Sequence, residues 1–246
     1  MPALAGATAA VVFDCYGAAV AVGQALQERG ASVVLATEDE RLMASVERRL
    51  DATCPSARAR SVLIERHPVV SEAANDLPKK LGRPEIWINV TACGDPKPAE
   101  DYGPEDWERA TASLASVASL CSSAGRAMLD GEGGVIVNVT STAGIVHEDG
   151  GAGASALSGG VLALTRALGV EWVSRGVRVV GVAYCALELE GERAEAQPPV
   201  RRIPLDHYGS GEDLGEAVVF LVGPDAAFIS GEILIVDGGT TSYHMF

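Results

Sequence analysis

The stretch GGVLALTRALGVEWVSRGVRVVGVA, Gly159–Ala183, sets two periodicities back to back. Its first part belongs to a helical pattern over roughly Ser155–Ser174, and its end, Val177–Ala183, is a nearly continuous apolar run rich in valine. Working outward, Val135–Thr140 is a second run of that kind, joined to the helix by a glycine-rich loop through Gly153. Toward the N-terminus the same alternation repeats. Strands are expected at Ala9–Asp14, Ser32–Ala36, Arg60–Glu65 and Ile86–Val90, with helices at Gly17–Arg29, Glu38–Leu50, Val69–Leu81 and Glu105–Met128. Gly30 closes the first helix as a C-cap, and acidic residues in PEDWE suit the positive end of the long one. Beyond Ala183, residues 187–203 read as irregular and charged, Glu212–Leu221 as a helix and Glu232–Val236 as a last strand. Continuous rather than alternating apolar strands, each followed by a helix, predict a parallel sheet covered on both faces. About seven strands favour a single doubly wound α/β domain of the Rossmann type, spanning 1–246, over an eight-fold barrel.

Composition narrows the function classes. Of 246 residues, 48% are hydrophobic and 21% charged, enough apolar surface for a large core and too much for a disordered chain. Nineteen Lys and Arg against 33 Asp and Glu give a net charge of −14, which repels a phosphate backbone, so no nucleic-acid partner is expected. Five cysteines without C-x-x-C spacing read as reduced thiols, and four scattered histidines offer no metal pattern. The first 26 residues lack the basic start of a signal peptide, and no span of strongly apolar residues is long enough for a membrane helix. A cytoplasmic protein with no membrane partner is the expectation.

Three phrases in order resemble the short-chain dehydrogenase/reductase family over nearly the whole chain. GGVIVNVTSTAG (Gly133–Gly144) looks like its fifth strand and catalytic-serine loop, and Gly159–Ala183 like its active-site helix and sixth strand. ISGEILIVDGG (Ile229–Gly239) looks like its terminal strand and turn. The resemblance also says what has changed. The family's T-G-x-x-x-G-x-G phosphate loop falls on Val12, Phe13, Asp14, Cys15, Tyr16, Gly17, Ala18 and Ala19, of which only Gly17 is kept. Phe13 places a bulky ring where the first glycine turns the chain, and Asp14 sets a carboxylate where a pyrophosphate would lie. Thr37 stands where the ribose-binding acid is usual, Asn89-Val90-Thr91-Ala92 replaces N-N-A-G, and Tyr184-Cys185 replaces Pro-Gly.

At the catalytic positions the resemblance retains Ser141 alone. The family's tyrosine position holds Ala154, its lysine position Ser158 and its helix asparagine position Leu114. Alanine carries no titratable proton, and serine cannot supply the charge by which the lysine lowers the tyrosine pKa. The resemblance therefore implies a chain with no catalytic site, no NAD(P) and no metal of its own.

Several residues admit two readings. Ser141 caps a strand end or forms a relay with His147 and Asp149. Tyr184 substitutes for the lost tyrosine or packs into the nicotinamide space. Phe13 and Tyr16 fill an empty cleft or stack on another ligand. The small residues of the helices at 105–128 and 155–174, with Val117 and Leu162, serve packing on the sheet, a helix-bundle interface, or both.

The implied function is a degenerate, pseudoenzyme-like subunit of a heterodimeric or heterotetrameric dehydrogenase, assembled through those two helices. Its partner would be an intact paralogue that holds the NAD(P), as in acyl-CoA β-oxidation complexes of the 2-[hydroxy(phenyl)methyl]succinyl-CoA dehydrogenase type. The tail Thr240–Phe246 is expected to reach toward the partner's site. The alternatives are a cofactor-independent lyase, isomerase or cyclase that reuses the cleft, and a small-molecule sensor.

Overall fold

β-branched and small apolar residues cluster in seven short runs, and these hydrogen-bond side by side as one parallel sheet. The computed structural model describes residues 4–53, 60–63, 72–91, 96–147, 149–189 and 198–243. Its first half alternates β1 (Thr8–Phe13), α1 (Tyr16–Glu28), β2 (Ser32–Thr37), α2 (Glu40–Thr53), β3 (Arg60–Leu63), α3 (Glu72–Lys80) and β4 (Ile86–Val90). Its second half runs α4 (Pro104–Leu129), β5 (Gly134–Ser141), α5 (Ala152–Trp172), β6 (Val177–Tyr184), β7 (Leu187–Glu188), β8 (Gly209–Ser210), α6 (Gly211–Val222) and β9 (Ile233–Val236). The order across the sheet is β3-β2-β1-β4-β5-β6-β9. The chain reverses its winding between β1 and β4, so their carboxyl ends flank the crevice where such sheets place ligands.

Each face of the sheet carries its own core. Val11, Leu35, Val180 and Phe13 pack against Leu26 of α1, Leu50 of α2 and Leu214 of α6. On the other face Ala10, Trp87 and Ile136 pack against Leu77 of α3, Leu120 of α4 and Val161 of α5. Helix Ala152–Arg175 is long and apolar enough to cross a membrane by length and composition only, and it carries Arg166, Glu171 and Arg175. Here it lies on the sheet with Leu157, Val161, Leu162 and Trp172 buried, as a core helix of a layered fold does.

Two further expectations are corrected. Residues 187–203 are not irregular throughout, because β7 pairs in parallel with β8 through Leu187↔Gly209 and Glu188↔Ser210. Two-residue strands are too short to leave a periodic signal. Val117 and Leu162 need no partner chain for burial, being 4% and 2% exposed within this one. The third helix is described only from Glu72, since residues 64–71 lie outside the described ones, as do Ala92, Glu148 and residues 244–246. The described start of the tail, Thr240–Ser242, forms a single turn tied to Asp237, whose carboxylate accepts from Gly239 N and Thr241 N.

Candidate active-site cleft

The crevice is built from the carboxyl ends of β1, β4, β5 and β6. Phe13, last residue of β1, is 4% exposed and belongs to the core rather than to a phosphate-binding turn. Cys15 precedes α1 in extended conformation, and Gly17, Ala18 and Ala19 are buried in the first turn of the helix. Val12 is buried on the opposite face of the sheet. Tyr184 ends β6 beside Ser141 of β5, the two being register partners. Its ring is 7% exposed, and its hydroxyl reaches across the crevice to lie 4.0 Å from Cys15 Sγ. Tyr184 thus packs into the crevice, whereas Phe13 packs in the core beneath it.

Ala154 and Ser158, which the resemblance aligns with the family's tyrosine and lysine, lie on the first turns of α5, the first half-buried and the second fully buried. Ser158 belongs to a chain of hydroxyls. Thr91 Oγ1 donates to Thr140 Oγ1 at 3.0 Å, and Thr140 Oγ1 donates to Ser158 Oγ at 3.1 Å. Ser158 is thus a neutral group hydrogen-bonded inside the core. Leu114, at the asparagine position, drives its side chain into the gap at Gly160, where an added Cβ would lie 2.5 Å from Leu114 Cδ2.

Ser141, His147 and Asp149 are not joined into a relay. Ser141 Oγ accepts from Ala143 N at 3.1 Å, as the cap of a short turn. His147 Nδ1 lies 3.0 Å from Ala143 O and 3.1 Å from Ser155 Oγ. A carbonyl only accepts, so the contact with Ala143 O requires the tautomer with its proton on Nδ1, in which that nitrogen is not a base for Ser155. Asp149 is exposed on the loop.

Sequence reasoning missed two arrangements. One is the clamp on the start of α5, where Gly153 N donates to Tyr102 Oη and Lys97 N to Gly150 O. Lys97 Nζ pairs with Asp106 Oδ2 at 2.6 Å and sits 5.6 Å from the Tyr102 ring centre. The hydrogen bond from Lys97, and then the one from Gly103 N, hold the Asp106 carboxyl below its usual range. The other is a buried polar network under the crevice. Trp87 Nε1 donates to Asn89 Oδ1, Asn89 Nδ2 to Asn138 Oδ1, and Asn138 Nδ2 to Thr165 Oγ1, at 2.8, 2.8 and 2.9 Å. Cys121 lies among these asparagines, and burial pushes its thiol up to about 12. The signal was present as polar residues at inward strand positions, but an isolated Asn or Thr does not disclose its partner.

Comparison with known proteins agrees with this architecture. A family model described as enoyl-(acyl carrier protein) reductase matches residues 14–241. The D-threitol dehydrogenase of Mycolicibacterium smegmatis is 32% identical over 180 residues, 70% of this chain and 68% of that protein. The gluconate 5-dehydrogenase of Gluconobacter oxydans is 27% identical over 97% of this chain and 96% of its own length. Among solved structures, a gluconate 5-dehydrogenase from Burkholderia cenocepacia J2315, in complex with NADP and tartrate, superposes with a TM-score of 0.85. That likeness covers 98% of this chain and 97% of the other at 24% identity, and bears on the fold. With a family model spanning most of its length and relatives of this kind, the chain belongs to the short-chain dehydrogenase/reductase family.

Proposed function

We propose that this chain is the non-catalytic subunit of a hetero-oligomeric short-chain dehydrogenase, supporting an intact NAD(P)-dependent paralogue. The observation that carries this reading is at α5. Where a proton donor and its charge are needed, Ala154 has no proton to give and Ser158 is tied into the core through Thr140. The crevice residues do not fit a dinucleotide either. Phe13 is core, and the Tyr184 hydroxyl lies within 4.0 Å of Cys15, at the turn where a pyrophosphate would sit. No hydride-transfer step is therefore assigned to this chain.

Its contribution is then thermodynamic. A subunit that binds only the folded form of its partner stabilises that partner by mass action. The face for such binding is the outer side of α4 and α5, where Ala112, Ser116 and Ser119 are half-buried and Ala163 is exposed. These small side chains permit close approach of another pair of helices. A cytoplasmic location goes with this reading.

Tagged co-purification from the native host, followed by NAD(H) and NADP(H) titration of the isolated chain, tests it. The expected result is an intact paralogue at near-equal stoichiometry and no nucleotide binding by this chain alone. Recovery of a lone homo-oligomer, or nucleotide binding by the isolated chain, overturns it.

A further inference from the structure

Aspartate is followed by glycine at three places in the chain, Asp130–Gly131, Asp149–Gly150 and Asp237–Gly238. In such a pair the glycine amide nitrogen can attack the aspartyl side-chain carbon, because no Cβ shields it. Two conditions decide whether it does. The carboxyl must be free to turn onto its own backbone, and the glycine N–H must not have a hydrogen bond to give up first.

At two of the pairs the fold withholds one condition. Gly131 N donates to Met128 O at 3.1 Å as the chain leaves α4. Asp237 is 6% exposed, and its carboxylate accepts from Gly239 N at 2.8 Å and Thr241 N at 2.7 Å. Asp149 differs on both counts. Its side chain is exposed, and among the described residues none hydrogen-bonds to its carboxylate or to Gly150 N.

The same pair fastens two loops together. Gly150, at φ +79°, turns its carbonyl to accept from Lys97 N at 2.9 Å, and an added Cβ there would lie 3.1 Å from that nitrogen. Three residues on, Gly153 N donates to Tyr102 Oη at 3.2 Å.

We propose that Asp149–Gly150 is a self-modification site, where conversion to isoaspartate unfastens loop 96–103 from the start of α5. Gly150 N bonds to Asp149 Cγ, and the protonated carboxyl leaves its hydroxyl, which departs with the amide proton as water. The succinimide so formed takes up water at the main-chain carbonyl carbon of Asp149, whose bond to Gly150 N breaks as that nitrogen regains a proton. The water released equals the water consumed, and no oxidant, reductant or cofactor enters. The main chain then runs through Asp149 Cβ and Cγ, one atom longer, and the former carbonyl is a free carboxylate. That extra length displaces Gly150 O from Lys97 N. The step needs neither nucleotide nor partner, so it goes beyond the subunit assignment and stands without it.

Ageing the full chain for weeks at neutral pH, below its melting temperature, tests this. Isoaspartate is located by peptide mass spectrometry and counted by methyl transfer from labelled S-adenosylmethionine with an isoaspartyl methyltransferase. The expected result is accumulation in the peptide that holds Asp149, with Asp130 and Asp237 unchanged. In urea all three pairs convert, since the fold alone makes the selection. Asp149→Glu, a surface change near neutral for folding, loses the product because the longer arm must close a larger ring. Asp149→Asn forms it faster, with ammonia as the leaving group. Hydrogen exchange at Lys97 and Gly153 speeds up in the aged chain and stays unchanged in aged Asp149→Glu. Isoaspartate absent from Asp149, spread evenly over the three pairs in the folded chain, or equally selective in urea overturns the proposal. Unchanged exchange at Lys97 in a chain shown to carry isoaspartate overturns it as well.

Discussion

Ser158 is a fully buried hydroxyl held by hydrogen bonding inside the core. A lysine there must be held by neighbours that accept its protons; here the neighbours are Thr140 and, through it, Thr91. Ser158→Ala is expected to lower stability by about 1 kcal/mol, read as a shifted urea midpoint, because it strips an acceptor from buried Thr140. Ser158→Lys is expected to cost more, since an ammonium would enter a fully buried site. The double variant Ala154→Tyr, Ser158→Lys should consequently show no dehydrogenase activity in a spectrophotometric NAD(P)H assay. Cys121 supplies a pH signature at the same scale. Burial raises its thiol from the ordinary 9.0 to about 12, so above pH 9 the unfolded chain ionises before the folded one does. Stability should fall as pH rises from 9 toward 12, and Cys121→Ala should flatten that slope in thermal melts.

Helix ends and helix contacts are the corresponding details at the scale of elements. At the start of α6, Ser210 Oγ accepts from Asp213 N while the Asp213 carboxylate accepts from Ser210 N at 2.7 Å, a reciprocal capping box. These hydrogen bonds, the one from the Ser210 backbone foremost, hold the Asp213 carboxyl below its ordinary 3.8. A carboxyl lowered in the folded state stabilises above its unfolded pKa and loses that contribution as pH falls through the folded one. Stability should thus decline below pH 3.8, less steeply in Asp213→Asn, while Asp213→Ala costs about 1 kcal/mol at neutral pH. Where α5 meets the loop before β9, Gly169 lies against the backbone of Gly231, and Ser230 Oγ donates to Gly169 O. No side chain can move aside there, so Gly169→Ala should cost about 1–3 kcal/mol in the same urea series.

For the whole molecule, charge and surface decide behaviour. A net charge of −14 on one domain is self-repelling, so raising sodium chloride from 10 to about 300 mM should increase the melting temperature as screening shortens to less than about 10 Å. The half-exposed small residues of α4 and α5 bear on assembly instead of folding. Ser116→Arg and Ala163→Arg should therefore abolish co-purification of the proposed partner while leaving the melting temperature of the isolated chain within about 1 °C, since surface changes away from a contact are near neutral. Loss of folding in these variants, or retention of the partner, would contradict that placement.

How much of this was legible depends on the range of the interactions involved. Continuous apolar runs of four to eight residues mark Thr8–Phe13, Gly134–Ser141 and Val177–Tyr184, because strand burial is a local property of composition. The side-chain chemistry at Phe13, Ala154 and Ser158 is also readable, since a ring, a methyl or a hydroxyl is intrinsic to the residue. What the sequence by itself determined is therefore the doubly wound parallel sheet and the family to which it belongs. Only the tertiary structure decided which polar side chains meet. It joined Thr91 to Thr140 and Ser158, sent His147 to Ser155 rather than Ser141, and brought Tyr184 to Cys15 across 169 residues of chain. It also buried Val117 and Leu162 within the chain. Such contacts arise only when crossovers return distant segments to adjacent strand ends, and no local pattern encodes them.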